Sequence, residues 1–94
     1  MNDASAHRGP QFPLRERLLG LVGQILGKPA AAGTLPVDVR LSELGVSSVA
    51  MVHLMLAVEA EFNISIPQSD ITPDNFRSVL TVEAMVQRLL ALTP

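Results

Sequence analysis

The sequence predicts an all-α fold: a small four-helix bundle of three longer helices and one short third helix, with a long first loop. Three observations point there. Apolar side chains recur at helical spacing just after residue 13 and again from residue 81 onward. A central apolar run, Val49 to Phe62, contains neither Gly nor Pro. No stretch sustains the alternation of a strand; "NISIP", Asn63 to Pro67, comes nearest and is too short to build a sheet. With 94 residues, 48% of them hydrophobic and 17% charged, the chain suits one domain with one core.

The opening "MNDASAHRGPQF" has no periodicity, so residues 1–12 are expected to be a mobile tail, with the domain spanning 13–94. In "PLRERLLGLVGQILGK" the apolar positions Leu14, Leu18, Leu21, Val22, Ile25 and Leu26 define the first amphipathic helix, with Pro13 at its first turn. Gly27 is placed to end it, and Gly20 and Gly23 to let a neighbour pack closely. A long connection follows, with apolar anchors at Leu35, Val37, Val39, Leu41 and Leu44 that should hold it down. The second helix, "VAMVHLMLAVEAEF", is apolar on nearly every side, so some of its side chains must lie on the surface. Pro67 breaks the pattern. Thr72 as cap, Pro73 at the first helical position and Asp74 in the first turn start the short third helix. Thr81 is read as the cap of the last, whose stripe is Val82, Met85, Val86, Leu89 and Leu90.

Composition excludes several functions. There is no Cys, and the two His, His7 and His53, fall short of a ligand set, so no metal site is expected. No secretory stretch is evident, and no apolar run reaches the roughly 20 residues that span a bilayer. A cytoplasmic protein without membrane contact is expected. A net charge of -2, only seven Lys and Arg, and three Phe as the sole aromatics argue against nucleic acid.

The chemistry is expected at "LGVSSVAMV", Leu44 to Val52, where two serines stand between a glycine and the apolar run. A nucleophilic serine needs a base and an oxyanion site. The segment lacks the second glycine of a G-x-S-x-G elbow, and His53, five residues past Ser48, is out of helical register with it. No catalytic residue is assigned, and a small serine hydrolase ranks last. Ser47 suits a helix cap, which leaves the Ser48 hydroxyl free at the first turn. Amides and helix dipole there favour a phosphate ester. The surplus apolar side chains downstream, Val49, Val52, Met55 and Leu56, then make sense as a docking face, methionines suiting a surface that meets several partners. His53 has two open readings, a partner contact or a solvated or half-buried helix residue. Glu59 and Glu61 read as solvated rather than catalytic acids.

The stretch "ELGVSSVAMVHLMLAVEAEFNISIP", Glu43 to Pro67, resembles the centre of an acyl carrier protein, where L-G-x-D-S-L opens the second helix and an acidic-Phe pair followed by I-P closes it. "ITPDNFRSV", Ile71 to Val79, resembles the third-helix segment of polyketide-type and peptide-synthetase-type carriers, so the likeness covers most of the chain. The resemblance implies a discrete, stand-alone acyl or peptidyl carrier. Ser48 would receive 4'-phosphopantetheine from coenzyme A through a separate transferase, and the arm's thiol would hold an acyl or aminoacyl group as a thioester. The implied partners are that phosphopantetheinyl transferase, a dedicated acyl- or aminoacyl-carrier ligase, and a downstream acyl-accepting enzyme; the carrier, a monomer, catalyses nothing.

Two departures stand out. Ser47 replaces the usual Asp and Val49 the usual Leu, which leaves open which serine is modified, with helix position and alignment both favouring Ser48. Outward positions on the second helix are expected to be Ala50, His53 and Ala60 rather than acids, so recognition should rest on shape and apolar contact. That fits a carrier dedicated to one specialised pathway in secondary metabolism rather than housekeeping fatty-acid synthesis. The rival reading of another class is an unmodified helical interaction module that keeps only the docking face.

Overall fold

A computed structural model describes residues 13–92; the stretch 1–12, expected as a mobile tail, lies outside the described residues. Four helices form the fold: α1 (Leu14–Ile25), α2 (Leu41–Leu44), α3 (Ser48–Phe62) and α4 (Val79–Ala91), with 3-10 turns at Pro29–Thr34 and Gln68–Asp70. Among the described residues there is no strand. The all-helical bundle is therefore the expected one.

α1 starts directly after Pro13, whose carbonyl accepts from the Arg17 amide at 3.1 Å. Its apolar stripe buries Leu18, Leu19 and Val22 against α3 and α4, with the Pro29–Thr34 turn on a further side. Gly23 faces that turn so closely that an added Cβ would lie 2.9 Å from the Cβ of Ala32. The close-packing role expected of this glycine is thus its actual one. Gly27 ends the helix at φ +72°, a left-handed conformation that a side chain disfavours.

The long connection is held down as expected. Leu41 and Val46 are buried, Leu35, Val37 and Leu44 pack against the core, Val39 is half-buried outside it and is not the anchor expected, and two backbone bonds tie the segment to the start of α4: Leu41 N–H to the Arg77 carbonyl at 2.7 Å, and Leu80 N–H to the Val37 carbonyl at 3.0 Å. Within it lies α2, a single turn where the sequence predicts only loop. The core is completed by Leu54, Val58 and Phe62 of α3, by Ile66 and Phe76 between helices, and by Val79, Val82, Met85, Val86 and Leu89 of α4.

Two local expectations change. The residues expected as a short third helix make one turn only. Thr72 does act as a cap, its hydroxyl accepting from Asn75 N–H and its carbonyl from Phe76 N–H, each at 3.2 Å. The chain then leaves the helix: Ser78 N–H, which would extend it onto the Asp74 carbonyl, donates instead to Thr81 Oγ1 at 3.0 Å, and Arg77 C=O accepts from Leu41 N–H. The last helix begins earlier than expected. Its cap is Ser78, whose hydroxyl accepts from Thr81 N–H at 3.3 Å, while Thr81 Oγ1 accepts from Ser78 N–H at 3.0 Å, a reciprocal capping box. Thr81 is the second member of that box rather than the cap.

Candidate functional site

The site is built where α2 hands the chain to α3. Gly45 ends α2 at φ +109°, which turns the chain sharply, and the amide of buried Val46 bonds back to the Leu41 carbonyl at 3.0 Å. Ser47 then stands in the extended conformation of a helix cap, and its Oγ accepts from Ala50 N–H at 3.1 Å. Ser48 is the first residue of α3. It is exposed, and among the described residues nothing bonds to its hydroxyl. The two serines therefore differ in chemistry despite being adjacent, one hydroxyl engaged by the helix and the other free. A phosphate ester on Ser48 Oγ would sit at the amino end of a 15-residue helix, near first-turn amides and the positive end of its dipole. The residues present fit a phosphate-linked arm at that hydroxyl.

Downstream, α3 turns two adjacent stripes outward. Ser48, Val52 and Met55 follow one another at i, i+4 and i+7, and Val49, His53 and Leu56 do the same on the next stripe. Val49 is 66% exposed, Val52 50% and Leu56 54%, high values for large apolar side chains. His53 is exposed beside them, and Met55 is half-buried. Four of the five proposed docking residues thus face outward, whereas Met55 packs partly on the core beside Leu54, Val58 and Phe62. Ala50 departs from expectation: it is half-buried and packs on the core rather than pointing outward. Ala60 is exposed as expected.

A groove of about 570 Å³ borders the first stripe. Met51, Val52 and Met55 form one wall, Ile71 and Phe76 the other, and Arg40 and Arg77 stand among its polar lining. Local spacing does not reveal it, because Arg40 and Phe76 are neighbours of Leu41 and Arg77, which a backbone bond joins across the fold. The acids of α3 also have unforeseen roles. Glu59 Oε2 accepts from Ile66 N–H at 2.8 Å, fixing the turn after the helix. Glu61 Oε2 receives Arg17 Nε at 2.9 Å, the same guanidinium donates to the Glu61 carbonyl at 2.8 Å, and its carbon lies 4.5 Å from the centre of the Phe62 ring. Neither acid is simply solvated, so that expectation is corrected. Asp74 is exposed and pairs with Arg77. Between α1 and α4, Arg15 pairs with Glu83, a hydrogen bond and charge that raise the arginine's already high pKa.

Among the described residues no cluster of His, Cys, Asp or Glu could hold a metal ion, and no helix is long and apolar enough to cross a membrane. A free serine hydroxyl at a helix start, an exposed apolar stripe beside it and an all-helical bundle together fit a carrier that bears a prosthetic arm. The phosphopantetheine attachment site family matches residues 16–89, and the chain belongs to that family. It is a phosphopantetheine carrier, with the group attached covalently.

Curated relatives agree. The chain is 48% identical over 77 residues to Aminoacyl carrier protein 1 of Bradyrhizobium diazoefficiens, covering 82% of this chain and 86% of that one. It is 44% identical over 73 residues to Aminoacyl carrier protein 2 of the same organism, covering 78% and 82%. Two crystal structures are also similar. One is the Bradyrhizobium japonicum glycine:[carrier protein] ligase complexed with glycylated carrier protein, matched at TM-score 0.64 and 48% identity over 78% of this chain and 99% of the other. The second holds that ligase with its cognate carrier protein and an analogue of glycyl adenylate, at TM-score 0.66 and 47% identity over 81% and 99%.

Proposed function

We propose that the chain is an aminoacyl carrier protein whose prosthetic arm is attached to Ser48, and that it presents an amino acid to partner enzymes. The observation that carries the reading is the unengaged, exposed Ser48 hydroxyl at the start of α3, in a chain 48% identical to an aminoacyl carrier protein. Ser48 Oγ becomes the ester oxygen to phosphorus, while Ser47 holds the first turn through the Ala50 amide. The bound arm supplies a thiol that holds its cargo as a thioester. The chain's own contribution is to orient the attachment oxygen at the helix end and to offer Val49, Val52, His53, Met55 and Leu56 as a reading surface.

The chain acts as a substrate for other enzymes rather than as a catalyst. In support, the Ser47 hydroxyl is taken by a backbone amide, and His53 lies on a different stripe of α3 from Ser48. Three partners follow from the chemistry: a transferase that adds the arm from coenzyme A, an ATP-dependent amino acid:carrier ligase of the kind in the similar crystal structures, and an acceptor of the acyl unit. We place the monomeric carrier in the cytoplasm, where coenzyme A is at hand, and assign it to a dedicated pathway. Charging is the test. The arm-bearing protein is incubated with ATP, the Bradyrhizobium ligase and single amino acids, then weighed intact. The expected result is a hydroxylamine-labile mass gain with a small amino acid; gain with fatty acyl donors but no amino acid would contradict the reading.

A further inference from the structure

A second groove, of about 590 Å³, lies on α1 and shares no lining residue with the first. Pro13, Glu16, Gly20 and Gln24 follow one another at i, i+3, i+7 and i+11, so they line one face of α1, while Pro29, Ala32 and Gly33 of the next turn form the other wall. Small residues leave room in it: an added Cβ at Gly33 would meet nothing within 4 Å. Its charge is unbalanced. Arg15 is taken by Glu83 and Arg17 by Glu61, whereas Glu16 between them is exposed and has no ion-pair partner among the described residues. The one uncompensated charge of the groove is therefore a carboxylate.

The chain that precedes Pro13 enters at the mouth of this groove, because Pro13 itself lines it. Residues 7–12, His-Arg-Gly-Pro-Gln-Phe, include one Arg, no acid and the apolar Phe12. We propose that residues 7–12 fold back onto α1 as an intramolecular strap, with Phe12 seated on the apolar lining of the groove and the Arg8 guanidinium paired with Glu16. The sequence supplies the reversal this needs. Gly9-Pro10-Gln11-Phe12 suits a four-residue turn with Pro10 at its second position, which brings its ends within about 7 Å and returns Arg8 towards Pro13. Glu16 stands only about 4.5 Å further along the helix axis, a distance that an arginine side chain spans. Covalent attachment at Pro13 raises the effective concentration of the segment, so a contact too weak for a separate peptide is still populated. The strap braces the Pro29–Thr34 turn from which the long connection sets out, and it stands whether or not the carrier reading does.

The chain has no Cys, so Ala6→Cys gives a single thiol for a nitroxide label in the 94-residue protein. In the NMR spectrum the label is expected to broaden the amide signals of Gly20, Gln24 and Gly33 more than those of the residues lining the first groove. Arg8→Glu should lower the ratio of docked to free segment about three-fold, the effect of one exposed ion pair. Phe12→Ala should lower it about ten-fold through lost apolar contact. Exchanging the charges, Arg8→Glu together with Glu16→Lys, should restore the parent's broadening, and unchanged signals of α4 in each variant show that the bundle is intact. Broadening that is uniform over the surface, or that Arg8→Glu and Phe12→Ala leave unaltered, is that of a freely moving tail and overturns the proposal. Broadening passed from labelled to unlabelled copies in a mixture assigns the groove to a second copy and overturns it too, as does a charge exchange that fails to restore the parent's pattern.

Discussion

α3 and α4 are helices of similar length and apolar content that spend their side chains differently. In α4 the apolar residues Val79, Val82, Met85, Val86 and Leu89 fall on one stripe and are buried, and its amino end is closed by a capping box that engages both Ser78 and Thr81. In α3 only Leu54, Val58 and Phe62 are buried, Val49, Val52 and Leu56 face outward, and the first hydroxyl of the helix is left unbonded. The contrast teaches which helix holds the fold and which one serves the function. Apolar surface kept out of the core contributes nothing to folding, so its retention beside a free hydroxyl supports the proposed docking face.

Substitutions can break or sharpen that contrast. The largest effect is expected in the core of α4: Met85→Ala, at a side chain only 1% exposed, should destabilise the fold by about 3 kcal/mol. Leu56→Ala on α3 should change stability by no more than about 0.5 kcal/mol yet weaken charging, because its side chain is exposed in the free protein. Denaturant melts of the two variants beside a charging assay check the pair; equal destabilisation would dissolve the distinction. A smaller effect belongs to the far end of α3. Arg17→Ala removes two charged hydrogen bonds and a ring contact that tie α1 to Glu61 and Phe62, and should lower stability by about 2 kcal/mol without altering arm attachment. The smallest compares the caps. Ser47→Ala and Ser78→Ala should each lose about 1 kcal/mol, read by thermal melts, because each removes one acceptor for a first-turn amide.

Much of this was legible from residue spacing. The stripes of α1 and α4, the Ser47 cap, the anchored first loop and the surplus apolar surface of α3 all follow from local periodicity and capping chemistry, which act within a few residues. What escaped depends on partners distant in sequence. Thr72, Pro73 and Asp74 carry a proper helix start, yet the helix makes one turn only, because Thr81 Oγ1 takes the Ser78 amide that would extend it and Leu41 takes the Arg77 carbonyl. Ser78, three residues before Thr81 as a capping box requires, is the cap that the apolar stripe alone does not single out. Glu61 looked solvated because its partner, Arg17, lies on another helix. The groove needed the same kind of long-range information, since its two walls come from different segments and Arg40 from a third.

The central claim is that adjacent serines divide the work, Ser47 holding the helix and Ser48 holding the arm. Intact-mass measurement after incubation with coenzyme A and a phosphopantetheinyl transferase tests it most directly, applied to the parent, Ser47→Ala and Ser48→Ala. The account predicts one added arm on the parent and on Ser47→Ala, and none on Ser48→Ala despite an unchanged helical spectrum. An arm that persists in Ser48→Ala and disappears in Ser47→Ala would contradict it.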